Sequence, residues 1–435
     1  MERFALSRMK EWKENENRKP LFIRGARQVG KTWIMKTFGQ QYFEKTAYVN
    51  FDNNARMKQV FEGDLDIERL VLSISAETGV SIEAENTLII FDEVQEVPKA
   101  LTSLKYFYEN APQYAIVAAG SLLGVALHQG TSFPVGKVDF LDLYPLNFRE
   151  FLCAMGEKQF VSMLDSCDTQ MVTVFKTKYI ERLREYYFVG GMPEVVKDFS
   201  EKKDYNRVRA IQKNLINYYQ QDFSKHAEIK LVPRLNLVWN SIPMQLAKEN
   251  KKYIYGQVRE GSRAKDFELA IQWLLDCGLI HKVQRIQKPD LPLKAYIDFD
   301  AFKLFLVDIG LLIAMTDLDA KVIIEGNKIF TEFKGALTEQ YILQQLISDV
   351  GVIPYYYSTQ NSKGEIDFLV QGKTSVIPIE VKAEENLKAK SLKAFCEKYQ
   401  PSYAVRTSMS DYREQDWMTN IPLYAVKWIK NYVNQ

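Results

Sequence analysis

The turn after the first apolar segment constrains this chain most, because its spacing GxxxxGK[ST] is that of a phosphate-cradling loop. It follows an apolar run of strand length at residues 20–24 and precedes a segment with helical spacing. The glycines let backbone N–H groups close around phosphate oxygens, and the helix directs its positive end at them. We therefore predict a P-loop that binds ATP through Gly25, Ala26, Arg27, Gln28, Val29, Gly30, Lys31 and Thr32.

Two side chains of this loop have chemical roles in the prediction. Lys31 is expected to reach the β- and γ-phosphates and to act in catalysis. The Thr32 hydroxyl is expected to be a ligand of Mg²⁺. The alternative, an ordinary glycine turn, needs the spacing to be accidental.

The first 155 residues alternate strand-length and helical segments, which is typical of a parallel sheet covered by helices. The run Leu88 to Phe91 is entirely apolar, as a strand buried on both faces requires. Pro98 is expected to open a helix. Strands are predicted at residues 20–24, 47–51, 88–91, 115–119 and 138–143. We predict an α/β fold with a P-loop NTPase parallel sheet in residues 1–155.

Two acids end the third predicted strand. Asp92 is expected to hold Mg²⁺, directly or through water, and Glu93 to accept a proton from the attacking water. They could instead begin a surface helix. Ser121, after the fourth strand, could touch the γ-phosphate or orient water, or be a loop serine. Arg149 is a candidate charge-stabilising finger, although most arginines pair locally.

Composition excludes several classes of protein. The chain has 435 residues and a formal net charge of +2, which excludes a uniformly basic nucleic-acid coat. Its four cysteines and three histidines lack metal-ligand spacing, so any metal should be a hard cation held by carboxylates. The charged N-terminal segment lacks a signal-peptide pattern, and residues 301–315 are too short and too charged to cross a membrane. We expect a cytoplasmic protein without membrane contact.

The middle of the chain is predicted to be helical. Residues 156–225 form a lid or connector, interrupted at Gly190-Gly191-Met192-Pro193. Residues 226–318 contain a winged-helix-like pattern: a helix over 234–249, an extended segment at 253–255, a helix over 263–277 and a strand at 279–286. Arg259, Arg263 and Lys265 would face DNA phosphates in such a fold. Interspersed acids favour a packing or protein-contact role instead.

The C-terminal part, residues 319–435, carries a second group of acids. We take residues 365–370 and 375–383 as an antiparallel hairpin, after a helix over 331–348 and a strand at 355–358. Pairing residue 370 with 375 puts Asp367, Glu380 and Lys382 on one face, opposite an apolar face.

This is the D…ExK arrangement of metal-dependent nucleases. We predict that a second divalent metal, Mg²⁺ or Mn²⁺, binds Asp367 and Glu380, and that Glu339 completes the site from the neighbouring helix. Asp367 and Glu380 would act in cleavage with Lys382, which would stabilise developing charge. The alternatives are a solvated sheet face, or a nuclease-like fold kept for binding.

Several segments together resemble a known family. GARQVGKT, LIIFDEVQ, AAGSLL and YPLNFREF, in this order, are similar to prokaryotic AAA+ superfamily ATPases with a C-terminal domain of unknown function. The stretches YYFVGGMPEVV, TEFKGALTEQYI, NSKGEIDFLV and IPIEVKA extend the resemblance over most of the chain. It implies a P-loop ATPase core, a winged-helix-like middle and a PD-(D/E)XK nuclease-like C-terminal domain. Ala119 precedes Gly120 where the family more often has Thr or Ser, which bears on the role of Ser121.

Three functions fit these observations. The first is a Mg²⁺-dependent ATPase that drives rearrangement of the appended winged-helix and nuclease-like domains. The second is an ATP-gated, metal-dependent DNA nuclease. The third is a slow-turnover, nucleotide-dependent regulator that binds DNA or protein. Besides ATP, the partner is left open among DNA, another protein and a second copy of this chain.

Overall fold

The structure, a computed structural model, describes residues 1–120, 134–248, 251–325, 331–359, 364–385 and 389–435. These residues form two compact units. The N-terminal unit comprises residues 2–144 and 276–279, and the C-terminal unit comprises residues 145–275 and 280–435 together with Met1. Each unit has its own sheet.

A parallel sheet forms the centre of the N-terminal unit. Its described strands are β1 (Leu21–Arg24), β2 (Lys45–Asn50), β3 (Thr87–Asp92), β4 (Ala115–Ala119) and β5 (Asp139–Asp142). They follow the order β2-β3-β4-β1-β5, and every neighbouring pair is parallel. The predicted strands lie close to these bounds, and the predicted α/β P-loop NTPase fold is confirmed. The order places β1 between β4 and β5, so the P-loop leaves the sheet beside the end of β4.

Helices cover this sheet. They are α1 (Ala5–Glu14), α2 (Lys31–Tyr42), α3 (Ala55–Glu62), α4 (Ile67–Thr78) and α5 (Pro98–Asn110). Helix α5 begins at Pro98 as predicted, because a proline in the first turn sacrifices no intrahelical hydrogen bond. Strand β3 is buried throughout, and Ile89 and Phe91 pack in one core with residues of α3, α4 and α5. This buried strand fixes the position of the two acids at its end.

Helices dominate the first half of the C-terminal unit. Nine helices of the described residues lie in this half, and the longest, α11, has 22 residues. They are α6 (Phe148–Ala154), α7 (Lys158–Asp165), α8 (Thr169–Val174), α9 (Lys176–Val189), α10 (Pro193–Lys202), α11 (Tyr205–His226), α12 (Val232–Leu246), α13 (Tyr255–Val258) and α14 (Ala264–Asp276). The predicted extended segment at residues 253–255 is wrong in part, because Tyr255 already begins α13.

The second half of this unit contains the remaining elements. They are β6 (Ile280–Ile286), β7 (Ile297–Leu306), α15 (Ile309–Met315), α16 (Ala320–Ile324), α17 (Thr331–Gln345), β8 (Tyr355–Ser358), β9 (Glu365–Gln371), β10 (Val376–Val381), α18 (Lys390–Tyr399), β11 (Val405–Ser408), β12 (Arg413–Gln415), β13 (Met418–Pro422) and α19 (Ile429–Val433). A π-helical turn, Leu346–Val350, continues α17.

One sheet joins these strands in the order β12-β13-β11-β10-β9-β8-β6-β7. Strand β6 pairs with β7 as an antiparallel hairpin and with β8 in parallel. This hairpin lies within residues 226–318, the predicted winged-helix-like region, and is therefore continuous with the C-terminal sheet. Residues 232–306 contain α12, α13 and α14 followed by β6 and β7. The winged-helix assignment and the domain bounds stay predictions.

The predicted pairing of β9 with β10 is wrong by two residues. Val370 pairs with Ile377, and Phe368 pairs with Ile379. The sequence pattern places residue 375 opposite residue 370. The error comes from the turn, which has the four residues assumed but begins one residue later, because β9 extends to Gln371 and pairs it with Val376.

A bulge in β9 changes which side chains share a face. Tyr355 pairs with Leu369, whereas Tyr357 pairs with Ile366, so two residues of β9 lie opposite one residue of β8. Such a bulge interrupts the alternation of side chains along a strand. Ile366 and Leu369 accordingly pack in the same hydrophobic cluster, together with Leu392 of α18. The alternation expected from parity through residues 366–370 is therefore wrong.

Gly190 and Gly191 lie where three segments of the C-terminal unit meet. We call Gly190, Gly191, Leu146 and Asp308 together the glycine junction. Gly190 has φ of +73°, and a Cβ there would lie 2.2 Å from Asp308 Oδ1. A Cβ at Gly191 would lie 2.1 Å from the Leu146 carbonyl oxygen, and the Leu146 N–H donates to the Gly191 carbonyl at 2.7 Å. The Gly191 N–H donates to Asp308 Oδ2 at 2.6 Å. The break in the helical pattern is therefore a site of close backbone packing.

Among the helices of the described residues, none combines the length and the apolar character that a membrane span requires.

Candidate active site

The predicted P-loop is a tight turn between β1 and α2. Gly30 precedes α2 with φ of 94°, a conformation that side-chain-bearing residues rarely adopt. Gly25 packs so closely that a Cβ there would lie 2.2 Å from the Leu143 carbonyl oxygen. Helix α2 begins at Lys31, so its first N–H groups face into the turn. The two glycines thus shape a loop whose backbone donors are available to phosphate oxygens.

Lys31 lies inside this loop. Its Nζ donates to the carbonyl oxygens of Gly25 at 2.9 Å and Ala26 at 2.7 Å. Burial lowers the pKa of Lys31 to about 8. The negative charges of Glu93 and Asp92 act to raise this pKa, and the positive charge of Arg27 acts to lower it. A buried ammonium group with this environment favours an additional anionic partner.

Thr32 and Asp92 are in direct contact. The Thr32 hydroxyl donates to Asp92 Oδ2 at 2.7 Å, which joins the start of α2 to the end of β3. The Tyr48 hydroxyl of β2 donates to the same oxygen at 2.9 Å. Burial and the neighbouring Asp92 carboxylate raise the pKa of Tyr48. Two hard oxygen groups, a hydroxyl and a carboxylate, are therefore held together beside Lys31.

Glu93 follows Asp92 in a left-handed backbone conformation, with φ of 51° and ψ of 43°. Its carboxylate accepts a hydrogen bond of 2.6 Å from Gln95 Nε2. The structure thus brings together the predicted Lys31, Thr32, Asp92 and Glu93 in one site. Their spacing in sequence and the strand order account for this arrangement.

Two other residues, Ser121 and Arg149, were predicted for the ATPase site. Ser121 lies outside the described residues, so its role stays a prediction. Arg149 is buried in the C-terminal unit and pairs with Asp165 at 2.9 Å and Asp349 at 2.8 Å. Because the Arg149 guanidinium pairs with two carboxylates, these contacts favour a structural ion pair over the predicted charge-stabilising role in catalysis.

Lysine side chains lie among the acids of the predicted second metal site. We call this group the lysine-acid cluster; it consists of Lys251, Lys303, Glu339, Glu365 and Asp367. Glu339 pairs with Lys251, and Lys303 pairs with Glu365 and lies 3.5 Å from Glu339. Burial alone would lower the pKa of Lys303, but the surrounding carboxylates outweigh it and raise that pKa. Burial and the negative charge of Glu339 raise the pKa of Asp367, whereas the positive charges of Lys303 and Lys251 act to lower it.

Glu380 does not share this cluster. Its carboxylate pairs with Lys382 at 2.6 Å and accepts the Leu392 N–H of α18 at 3.2 Å. Asp367 instead accepts the Val381 N–H at 2.7 Å. The described contacts therefore give Asp367 and Glu380 different partners, and the metal site predicted for them stays a prediction. Within the described ranges, no group of three or more carboxylate, histidine or cysteine side chains could hold a metal ion.

The predicted phosphate-facing residues of the middle region are exposed. Arg259, Arg263 and Lys265 all lie on the surface near the start of α14, next to the exposed Glu260 and Glu268. A DNA contact at these residues stays a prediction.

Sequence reasoning missed three side chains that contact the ATPase site. They are Tyr48 and Gln95, described above, and Arg3. Arg3 is buried, and it donates to the carbonyl oxygens of Val29 in the P-loop at 2.9 Å and Tyr144 at 2.6 Å. The position of Gln95, two residues after Glu93, is a sequence signal that could have indicated its contact with the site. Arg3 lies outside any motif, so the sequence carries no such signal for it.

Family models cover three parts of the chain. Residues 17–152 match an AAA domain. Residues 180–322 match a domain of unknown function, DUF8612, and residues 334–426 match another, DUF4143. The AAA match includes the P-loop and the acids at the end of β3. A comparison with curated proteins finds no match.

Two solved structures are similar at low identity. A Walker-type ATPase of Pyrococcus abyssi is 15% identical with a TM-score of 0.44, covering 72% of this chain and 95% of that chain. Cdc6p from Pyrobaculum aerophilum is 11% identical with a TM-score of 0.25, covering 74% of this chain and 93% of that chain. Both TM-scores lie below 0.5, so neither likeness bears on the function. The AAA match and the assembled P-loop site show that residues 17–152 form an AAA-type P-loop ATPase domain.

Proposed function

We propose that the chain hydrolyses ATP with Mg²⁺ through Glu93 and uses the nucleotide cycle to rearrange its C-terminal unit. The contact of 2.7 Å between Thr32 Oγ1 and Asp92 Oδ2 carries this proposal. It joins the P-loop to the end of β3, next to Lys31 and Glu93. These are the parts that phosphoryl transfer needs: a phosphate-binding cation, hard oxygen ligands and a base.

The residues present fit Mg²⁺. The Thr32 hydroxyl and the Asp92 carboxylate are the oxygen ligands that this ion prefers, and the nucleotide phosphates would supply others. When bound, the ion would neutralise charge on the β- and γ-phosphates. Tyr48 would keep the Asp92 carboxylate oriented by its hydrogen bond.

The protein groups then have separate tasks. Lys31 would release its loop carbonyls and donate to the β- and γ-phosphates. Glu93 would accept a proton from the water that attacks the γ-phosphorus, while the bond to the ADP oxygen breaks. Ser121, after β4, is proposed to orient that water or contact the γ-phosphate.

Metal-dependent cleavage by the C-terminal unit has weaker support. The lysine-acid cluster neutralises Glu339 and Glu365 with Lys251 and Lys303, and Glu380 pairs with Lys382. These lysines hold the carboxylates that a metal would need. The ATP-driven rearrangement is therefore the proposal that we retain.

Two substitutions test the ATPase mechanism. Lys31→Ala removes charge-assisted hydrogen bonds to the phosphates, each worth about 1.5–3 kcal/mol, so ATP affinity should fall at least tenfold. Glu93→Gln keeps the shape but cannot accept the proton, so ATP should still bind while turnover falls by roughly 10²-fold. Calorimetry and a phosphate-release assay measure the two quantities.

The same variants test the rearrangement. With ATP bound but not hydrolysed, the Glu93→Gln protein should show altered hydrogen exchange in residues 145–435, and Lys31→Ala protein should not. Turnover close to wild type in Glu93→Gln would assign the base elsewhere. Unchanged exchange throughout those residues would contradict the rearrangement.

A further inference from the structure

The backbone at Glu93 has an unusual conformation for a residue with a side chain. Its φ is 51° and its ψ is 43°, and a short 3-10 turn, Val94–Glu96, follows at once. Left-handed conformations at non-glycine residues store strain, and they cluster at functional sites. This bend returns the chain toward Glu93 and brings the side chain of Gln95 alongside its carboxylate.

Gln95 contacts Glu93 directly. Its Nε2 donates to Glu93 Oε2 at 2.6 Å. A hydrogen bond to a charged carboxylate is stronger than one between neutral groups, and it fixes direction as well as distance.

The other end of the Gln95 amide lies beside Gly120. A Cβ at Gly120 would lie 2.6 Å from Gln95 Oε1, so the amide occupies space that only glycine provides. Gly120 directly follows β4, the strand beside β1. Gln95 Oε1 is buried and finds no hydrogen-bond partner among the described residues. The space left by the absent Cβ of Gly120 therefore accommodates the amide while its other end contacts Glu93.

We propose that Gln95 is a positioning residue for ATP hydrolysis: it holds the Glu93 carboxylate in its productive direction, and Gly120 provides the space that it needs. This inference rests on the proposed role of Glu93 as the base. It explains why the residue before Ser121 in the chain is a glycine, independently of any role of Ser121 itself.

Gln95→Ala removes the amide and tests this proposal. The expected result is a fall in kcat of at least about tenfold, the size associated with a hydrogen bond to a charged group, with the KM and the Kd for ATP unchanged. A merely structural role would change stability or nucleotide affinity instead. Glu96→Ala, at an exposed residue of the same turn, is the matched control and should keep wild-type kcat.

Gly120→Ala perturbs the same contact from the other side. The added Cβ meets the far end of a flexible side chain, so Gln95 moves and the fold is kept. The variant should lower kcat to a similar extent, and the double variant Gln95→Ala/Gly120→Ala should be no slower than Gln95→Ala alone.

The Glu93→Gln background separates this inference from the proposed function. If Gln95 acts through Glu93, Gln95→Ala should cause no further loss there. Wild-type kcat in Gln95→Ala, together with a large loss in Glu93→Gln, overturns the inference and leaves the proposed function standing. Wild-type kcat in Glu93→Gln itself overturns the role of the base and this inference with it.

Discussion

The protonation state of Lys31 should make the affinity for ATP depend on pH. Burial lowers its pKa to about 8, whereas phosphates bound beside it favour the protonated form. ATP affinity should therefore be constant below about pH 7 and fall by up to about tenfold per pH unit above pH 8, because binding must then take up a proton. Calorimetry in buffers of different ionisation enthalpy measures that proton. Lys58→Ala, exposed on α3, should keep this dependence, and Lys31→Ala should lose it; a flat profile in the wild type contradicts the prediction.

The residues proposed to carry the ATPase chemistry could be identified from sequence, and those that contact them could not. Lys31, Thr32, Asp92 and Glu93 were predictable because a phosphate-binding turn and the acidic end of a buried strand each have a local pattern. Arg3 reaches the P-loop carbonyl of Val29 from a distant part of the chain, so no spacing rule reveals it. Tyr48 is recognisable only once β2 is known to lie next to β3.

The glycine junction shows how elements depend on a missing side chain. Gly191→Ala would place a Cβ 2.1 Å from the Leu146 carbonyl oxygen, a backbone atom that cannot move without shifting the start of α6. We expect the free energy of unfolding to fall by more than about 3 kcal/mol, as for severe overpacking. Gly256→Ala is the control: nothing lies within 4 Å of its Cβ, and alanine favours helix α13 by up to about 1 kcal/mol. Similar denaturant midpoints for Gly191→Ala and the wild type would refute this role.

At the same scale, the pairing of β9 shows where pattern reading fails. Alternation predicted one apolar face over residues 366–370, and the bulge opposite Tyr356 breaks it. A bulge inserts one residue without changing composition, so the sequence still appears to alternate. The hydrophobic contacts of Ile366 and Leu369 with α18 select the observed register, and these contacts are non-local. The strands themselves were predictable because their β-branched and aromatic residues are local signals.

At the scale of the whole molecule, the C-terminal sheet crosses a boundary that the sequence suggested. Strands β6 and β7 belong to the stretch assigned to a winged helix, yet β6 pairs with β8. Parallel pairing between segments far apart in sequence has no local signature. Lys303 of β7 then reaches Glu339 of α17 and Glu365 of β9, so one side chain links three elements.

This link leads to a prediction about the stability of the C-terminal unit. Lys303 is fully buried, and replacing it by Met would leave Glu365 and Glu339 with less compensating charge. Breaking a buried ion pair in this way costs about 3–5 kcal/mol, so Lys303→Met should lower the free energy of unfolding by this amount. Lys213→Met is the control, since it removes an ion pair with Asp317 in which the two side chains are 54% and 73% exposed. The free energy of unfolding should then fall by less than about 1 kcal/mol. Urea unfolding followed by tryptophan fluorescence compares the two variants. Equal midpoints would mean that the cluster holds the sheet together no better than a surface pair, and that β7 and β9 are fixed by their apolar contacts alone.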